Sequence, residues 1–403
     1  MRIFRFSCQD EVRKIMRDIG VDAYGIKIML PKAQSFLIRL NAISNIAANI
    51  IKQEMLSLGA DVAISRGALT GKTKKTDCLI IGRLDQLKTL ARKLELQPFG
   101  LRKVASELNE NIKNYSRNDF NLALGKYSLR LGKKTHIMAV INATADSFSG
   151  DGLYRVKCSD YLKLALGKAE KMIKEGADII DIGGQSSRPG AKSVSTKEEI
   201  LRTLPIVKFL AKKINVPISI DTTRSEVAKA ALDAGAQMIN DISGLKDKRL
   251  ARVAAKSNAA VVLMHMLGEP ANMQKIIAYQ SLIDDIISYL KQAIERAEAN
   301  GIKPEKIVID PGIGFGKKPE HNFQIIRRLA DFKVLGKPIL LGPSRKSFIG
   351  KILKVNPRDR IFGTMATCVM AAERGAHILR VHDVKEVNQA LSLAAAVNSV
   401  KNA

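Results

Sequence analysis

The chain has 403 residues, more than one ordinary compact domain needs, and 46% are apolar, which is ample for a core. A net charge of +27 is spread along the whole length, with 5% aromatics and no Trp, so the composition suits a solvated basic surface or a small anionic substrate better than a nucleic-acid binder. No run of about 18 apolar residues occurs, so no membrane span is expected, and residues 1–14 become charged too early for a signal peptide.

In chain order, residues 1–130 read as a small α/β domain. Gln9 to Ile19 has helical spacing and stops at Gly20. Ile26 to Leu30 and Phe36 to Leu40 read as strands, and Ser44 caps a helix reaching Leu58. Asp61 to Ile64 and Cys78 to Ile81 are strand-like; Leu84 to Leu94 and Leu101 to Ile112 are helix-like. Gly67-Ala68-Leu69-Thr70-Gly71-Lys72-Thr73 has a P-loop flavour but one residue too few between its glycines, so it reads as a basic loop. No acid/base pair or metal-ligand cluster stands out in this part. Cys8, Cys78, Cys158 and Cys368 form no CxxC pair, and reduced thiols in a cytoplasmic protein are expected.

From Thr135 onward the pattern becomes strand, loop, helix, repeated. The strands are His136–Ile141, Asp178–Ile182, Ile218–Asp221, Met238–Ile242, Ala260–Met266, Ile307–Asp310, Ile339–Leu341 and Ile378–Val381. Thr196 with Glu199 reads as a capping box for the second helix. Eight apolar strands alternating with helices argue for a parallel sheet covered on both faces, and the count favours a (β/α)8 TIM barrel over residues 131–403. The site then lies at the C-terminal strand ends. These ends carry Asn142, Asp181, Asp221, Asn240 or Asp241, His265, Asp310, Lys346, Arg380 and His382.

Arg380 and His382 flank Val381, so on a strand both point the same way and form an anion clamp. Asp221 and Asp310 end opposite strands. A buried carboxylate facing a flat heterocycle takes two N–H donors side by side. Asn240 offers a donor and an acceptor, and Lys346 donates. Together they read as a socket for a purine-like or pterin-like ring. Gly312-Ile313-Gly314-Phe315-Gly316-Lys317 reads as a tight turn that brings Phe315 against a flat ligand.

Eight segments occur in one order: NATADSFSGDG, DIGGQSSRPGA, ISIDTT, INDISG, MHMLGEP, IDPGIGFGK, GPSRKSFIGK and LRVHDV. With them the chain from residue 135 onward resembles dihydropteroate synthases of the folate pathway. The resemblance implies condensation of 6-hydroxymethyl-7,8-dihydropterin diphosphate with p-aminobenzoate, with Mg2+ as cofactor, in a homodimer. It implies that Asp221, Asn240, Asp310 and Lys346 hold the pterin. Asn142, Arg380 and His382 hold the diphosphate, with Asn142 also at the metal. Ser187, Pro189, Phe315 and Ser347 shape the p-aminobenzoate pocket, and Asp146 and Arg188 sit on two mobile loops. Lys346, Arg380, His382, Asp146 and Arg188 are the expected catalytic set. The chain departs from the family at Ala143 and Ala145, where Val and Pro are usual, and at Gln185-Ser186-Ser187, where Glu-Ser-Thr is common. A pterin-binding methyltransferase barrel is the nearest alternative, but it has no reason to keep Arg380-Val381-His382.

Overall fold

The computed structural model describes residues 9–143, 158–185, 194–269, 273 and 277–399. Two compact units divide at 113/114, inside a helix that runs Leu101–Ser116. The first unit holds a three-stranded sheet in the order β1-β3-β2 (Ser35–Ser44, Lys75–Arg83, Asp61–Ile64). Both pairings are antiparallel. Helices α3 (Asn45–Ser57) and α5 (Leu84–Glu95) bury Ile51, Met55, Leu87, Leu90 and Leu94 with Val62 and Ile80 of the sheet. Ser44 caps α3 by accepting from the Ala47 N–H, as its position suggests.

One segment here differs from expectation. Ile26–Leu30 is no strand: it lies mostly in α2 (Ala23–Met29). Asp22 decides this, because its carboxylate accepts from the N–H groups of Tyr24 and Gly25 and so starts a helix.

The second unit is a closed barrel of eight parallel strands: β6 (His136–Asn142), β7 (Ile179–Gly183), β8 (Ile218–Asp221), β9 (Met238–Asp241), β10 (Ala260–Met264), β11 (Ile307–Asp310), β12 (Leu340–Leu341) and β13 (Ile378–Val381). Their spatial order is β11-β10-β9-β8-β7-β6-β13-β12. A bridge from Ile309 to Ile339 closes the ring. Helices α7 (Cys158–Lys174), α8 (Thr196–Leu210), α9 (Ser225–Asp233), α10 (Lys248–Lys256), α11 (Leu282–Ala299), α12 (Pro319–Arg327), α14 (Ile361–Glu373) and α15 (Val384–Ser399) follow the strands, and an extra helix, α13 (Ser347–Leu353), precedes α14. The cap of α8 is Ser195, one residue before the expected Thr196, and its hydroxyl accepts from Glu198 N–H.

Strand parity sorts the side chains. Ile180, Ile182, Ile220, Ile239, Leu263, Ile309 and Val381 pack under the helices. Met138, Ile179, Met238, Val262, Val308, Leu340 and Ile378 form a separate cluster. That second set fills the lumen, since neighbours along a strand point to opposite faces. A hairpin of β4 (Phe120–Leu124) and β5 (Tyr127–Leu131) joins the same cluster through Leu122, Leu124 and Leu131. This apolar contact seats the hairpin beneath the lumen, with the barrel unit that begins at Asn114, and Tyr127–Leu131 is the lead-in strand that its sequence suggests. Leu122 is fully buried there. Leu122→Ala should destabilise the barrel unit by about 2–4 kcal/mol, since the cavity cannot collapse beneath a closed ring. Denaturant unfolding would show it as a lower midpoint; an unchanged midpoint would mean the hairpin is dispensable.

Candidate active site

One layer above the apolar lumen, the same parity turns polar. Asp181 and Gly183 of β7, Ser219 and Asp221 of β8, Asn240 of β9, Asp310 of β11 and Arg380 of β13 share the face of lumen residues two positions earlier. A closed ring of parallel strands thus holds a polar layer at its C-terminal mouth.

Arg380 ties this layer together. Its Nε donates to Asp181 Oδ2 at 2.6 Å and its Nη2 to Asp221 Oδ2 at 2.7 Å. Asn240 Nδ2 donates to the same Asp181 oxygen at 3.1 Å. Burial drives the Asp221 carboxyl up to about 7; Arg380 opposes this, while Asp181, Glu199 and Asp241 add to it. Burial works against the Arg380 charge, but Asp181 and Asp221 outweigh it and raise that group above its ordinary value. A Cβ on Gly183 would lie 3.5 Å from Asp221 Cβ and 3.9 Å from Asn142 Oδ1. Asn142 and Asp221 therefore flank one glycine, with no side chain between them.

Asp310 faces this group from β11. It is pushed up to about 6 by burial, against the Gly312 N–H it accepts at 2.7 Å and the charges of Lys346, Lys317 and Arg380. Lys346 lies with its ammonium 4.0 Å from the Phe315 ring centroid. Burial and Arg380 bring Lys346 down to about 8, while Asp310 and Asp221 hold it up. The Phe315 turn needs its glycines. Gly312 has φ +70°, and a Cβ there would lie 1.9 Å from the His265 carbonyl oxygen. Gly314 has φ +82° and lies against the Lys346 stem, 3.0 Å from Cδ to its hypothetical Cβ.

His382 is fixed twice by Ser344, whose hydroxyl meets the ring Nδ1 at 3.0 Å and accepts from the His382 backbone N–H at 3.2 Å. Arg345, between Ser344 and Lys346, is left-handed at φ 56°. That conformation is held by Asp383, which takes its guanidinium, and by Thr364 Oγ1, which accepts its N–H at 3.1 Å. Ser347 opens α13 beside Lys346 and is exposed.

The structure thus brings Asp221, Asn240, Asp310, Lys346, Arg380, Asn142, Phe315, His382 and Ser347 to one end of the barrel. Asp146, Ser187, Arg188 and Pro189 lie outside the described residues. Two strand-end residues do not join the socket. Asn240 faces the lumen, so Asp241 faces out, where it accepts from Ser243 and Leu245 N–H groups and shapes the next turn. Met264 likewise faces in and His265 out. The His265 ring packs on Tyr289 at 4.8 Å and meets Lys317 Nζ at 2.9 Å. Burial and Lys317 hold that imidazole neutral, down to about 2. Sequence reasoning assigned no role to Asp181, Ser344, Lys317 or the Arg345–Asp383 pair, because each acts on a neighbouring side chain and spacing along one strand does not reveal a partner on another strand or loop.

The pterin binding enzyme family model matches residues 138–382. The chain is 46% identical over 278 residues to a dihydropteroate synthase of Synechocystis, covering 68% of this chain and 94% of the relative. A probable bifunctional folylpolyglutamate synthase/dihydropteroate synthase of Halobacterium salinarum is 36% identical over 352 residues, 87% of this chain and 42% of that protein. That stretch is longer than the barrel unit, so the likeness reaches into the first unit. The fold matches a Yersinia pestis dihydropteroate synthase solved with a sulfonamide drug, at a TM-score of 0.66 and 41% identity, covering 70% of this chain and 100% of that one. With the polar layer of the lumen and the Arg380-Val381-His382 strand end in place, this chain belongs to the pterin binding enzymes and, within them, to the dihydropteroate synthases.

Proposed function

We propose that the barrel condenses 6-hydroxymethyl-7,8-dihydropterin diphosphate with p-aminobenzoate, giving 7,8-dihydropteroate and diphosphate for folate biosynthesis. The observation that carries this reading is the lumenal layer in which two buried carboxylates, an amide and Lys346 converge beside Arg380. A pterin offers adjacent N–H donors and ring acceptors on one flat edge. Asp310 and Asp221 accept, Lys346 donates, and Asn240, its NH2 on Asp181, offers its carbonyl oxygen. Each N–H bond to a carboxylate is stronger than a neutral one.

The amine nucleophile is neutral and needs no strong base. The barrier lies in breaking the bond from methylene carbon to diphosphate oxygen. Negative charge grows on the leaving group, where Arg380, His382 and Asn142 accept it. Positive charge grows on the dihydropterin, where Asp221 and Asp310 favour it. Phe315 and Ser347 border the p-aminobenzoate. Asp146 and Arg188 complete the proposed catalytic set, and Ser187 and Pro189 the proposed p-aminobenzoate pocket.

Asn142 would hold Mg2+. Among the described residues no group of three His, Cys, Asp or Glu side chains gathers for a metal. One strand-end amide fits an ion that keeps its waters and is held mainly by substrate phosphate oxygens. Bound there, Mg2+ supplies neutralising charge to the diphosphate.

A homodimer is supported by the apolar groove of α12, α13 and α14, where Phe323, Phe348, Ile352, Leu353 and Met370 line a cavity of about 280 Å³. The buried free thiols Cys78 and Cys368 suit a cytoplasmic, reducing compartment. No helix among the described residues is long and apolar enough to cross a membrane.

Incubating the protein with the pterin diphosphate and p-aminobenzoate should yield diphosphate and a product with the mass of dihydropteroate. Pterin binding without release would leave the methyltransferase or a pure binding role.

A further inference from the structure

We infer that Asp181, to which the substrate roles above assign nothing, is the positioning residue of the socket: it fixes the Arg380 guanidinium and dictates which face of the Asn240 amide the ligand meets. The inference rests on the proposed function for its kinetic part only. Asp181 is 0% exposed, so a ligand senses it only through its neighbours. Its Oδ2 accepts from Arg380 Nε and Asn240 Nδ2 together, while Oδ1 is buried with no partner among the described residues. One oxygen therefore sets two groups on two other strands. Asn240 reaches it from β9 across β8, and Arg380 from β13 across β6.

The chemistry of the pair makes this directional. An ionised carboxylate only accepts. Asn240 must therefore turn its NH2 to Asp181 and present its carbonyl oxygen to the socket. Arg380, held at Nε by Asp181 and at Nη2 by Asp221, has its guanidinium plane fixed at both points. Asp181→Asn removes both constraints with little change of volume. The new amide can offer its own NH2 to Asn240, which frees Asn240 to turn over. It also drops one of the two charges facing Arg380. Misplacing a group that must meet the leaving diphosphate costs on the order of 100-fold in rate.

The test measures melting, affinity for a simple pterin without diphosphate, and steady-state diphosphate release in D181N, R380A and the double variant. Expected for D181N are a cooperatively folded protein with a lowered melting temperature, pterin affinity down about tenfold, kcat down about 100-fold, and an unchanged KM for p-aminobenzoate. In the R380A background, D181N should lower kcat by no more than about threefold, because residues acting as one unit are not additive. Pterin affinity and kcat both within about threefold of wild type would overturn the role, as would losses that multiply in full in the double variant. If D181N does not fold, Asp181→Ser carries the same comparison with the same outcomes. If the wild type releases no diphosphate, the proposed reaction falls, and the pterin affinity of D181N alone decides for or against Asp181.

Discussion

Arg380→Ala should slow diphosphate release by about 100- to 1000-fold, the usual cost of deleting one preorganised charge donor from a reaction that builds negative charge. The same change should lower stability, because it strands two carboxylates. Asp181 is fully buried and the Asp221 side chain is 13% exposed, and both lean on this one guanidinium. Breaking such a buried pair from one side costs about 3–5 kcal/mol. The loss should depend on pH in a definite sense. The folded-state pKa of Asp221 already lies near 7, raised from an ordinary carboxylate value of 3.8. Stability tied to its proton is fully present below about 4 and lost as pH rises through about 7. Without Arg380 that upper limit moves higher, so the variant should be least stable relative to wild type in alkaline buffer and recover in acid. Arg380→Lys separates the two effects: it restores a charge but not the planar fork, so melting should recover more than rate. A variant that melts like wild type at pH 8 would show that the Asp181–Arg380–Asp221 chain does not support the barrel.

Asp310→Asn should weaken a simple pterin about 100-fold, the loss expected when bonds to a charged acceptor become bonds to an amide that also presents a clashing donor. The wild type should show the cause directly. Asp310 ionises near pH 6, and the ring's N–H donors bind the ionised form. Pterin affinity should therefore rise about tenfold or more between pH 5 and 7, with Asp221 adding to the rise from Asp310 and protons released on binding. Calorimetry in two buffers of different ionisation enthalpy measures both. In D310N the rise over that interval should flatten. A wild-type affinity that is flat or falls with pH would remove Asp310 from the pterin edge.

The barrel was legible because parallel strands buried on both faces read as unbroken apolar runs, such as Ile137–Ile141 and Ala260–Met264. The socket was legible in part for the same reason: the first polar residue after such a run marks the mouth. Parity explains what went astray. Asn240 and Asp241 are adjacent, as are Met264 and His265, and only one of each pair faces the lumen. In the first unit, Ile26–Leu30 is too short an apolar run to tell helix from strand, and the Asp22 cap settles it. Asp181, Ser344 and Lys317 stayed unassigned because their work is done across strands, and closure of the ring, not spacing, makes those meetings. Among its described residues the first unit carries no concentrated chemistry, although its likeness to the Halobacterium protein shows that the pairing with this barrel recurs.

The most direct test is a crystal structure of the protein soaked with the pterin diphosphate in the absence of p-aminobenzoate. The ring should lie in the lumen mouth with its N–H edge on Asp221 and Asp310, Asn240 presenting its carbonyl, Lys346 at a ring acceptor and the diphosphate toward Asn142, Arg380 and His382. A ring bound away from Asp221 and Asp310, or inverted with its diphosphate far from Arg380 and His382, would contradict the account.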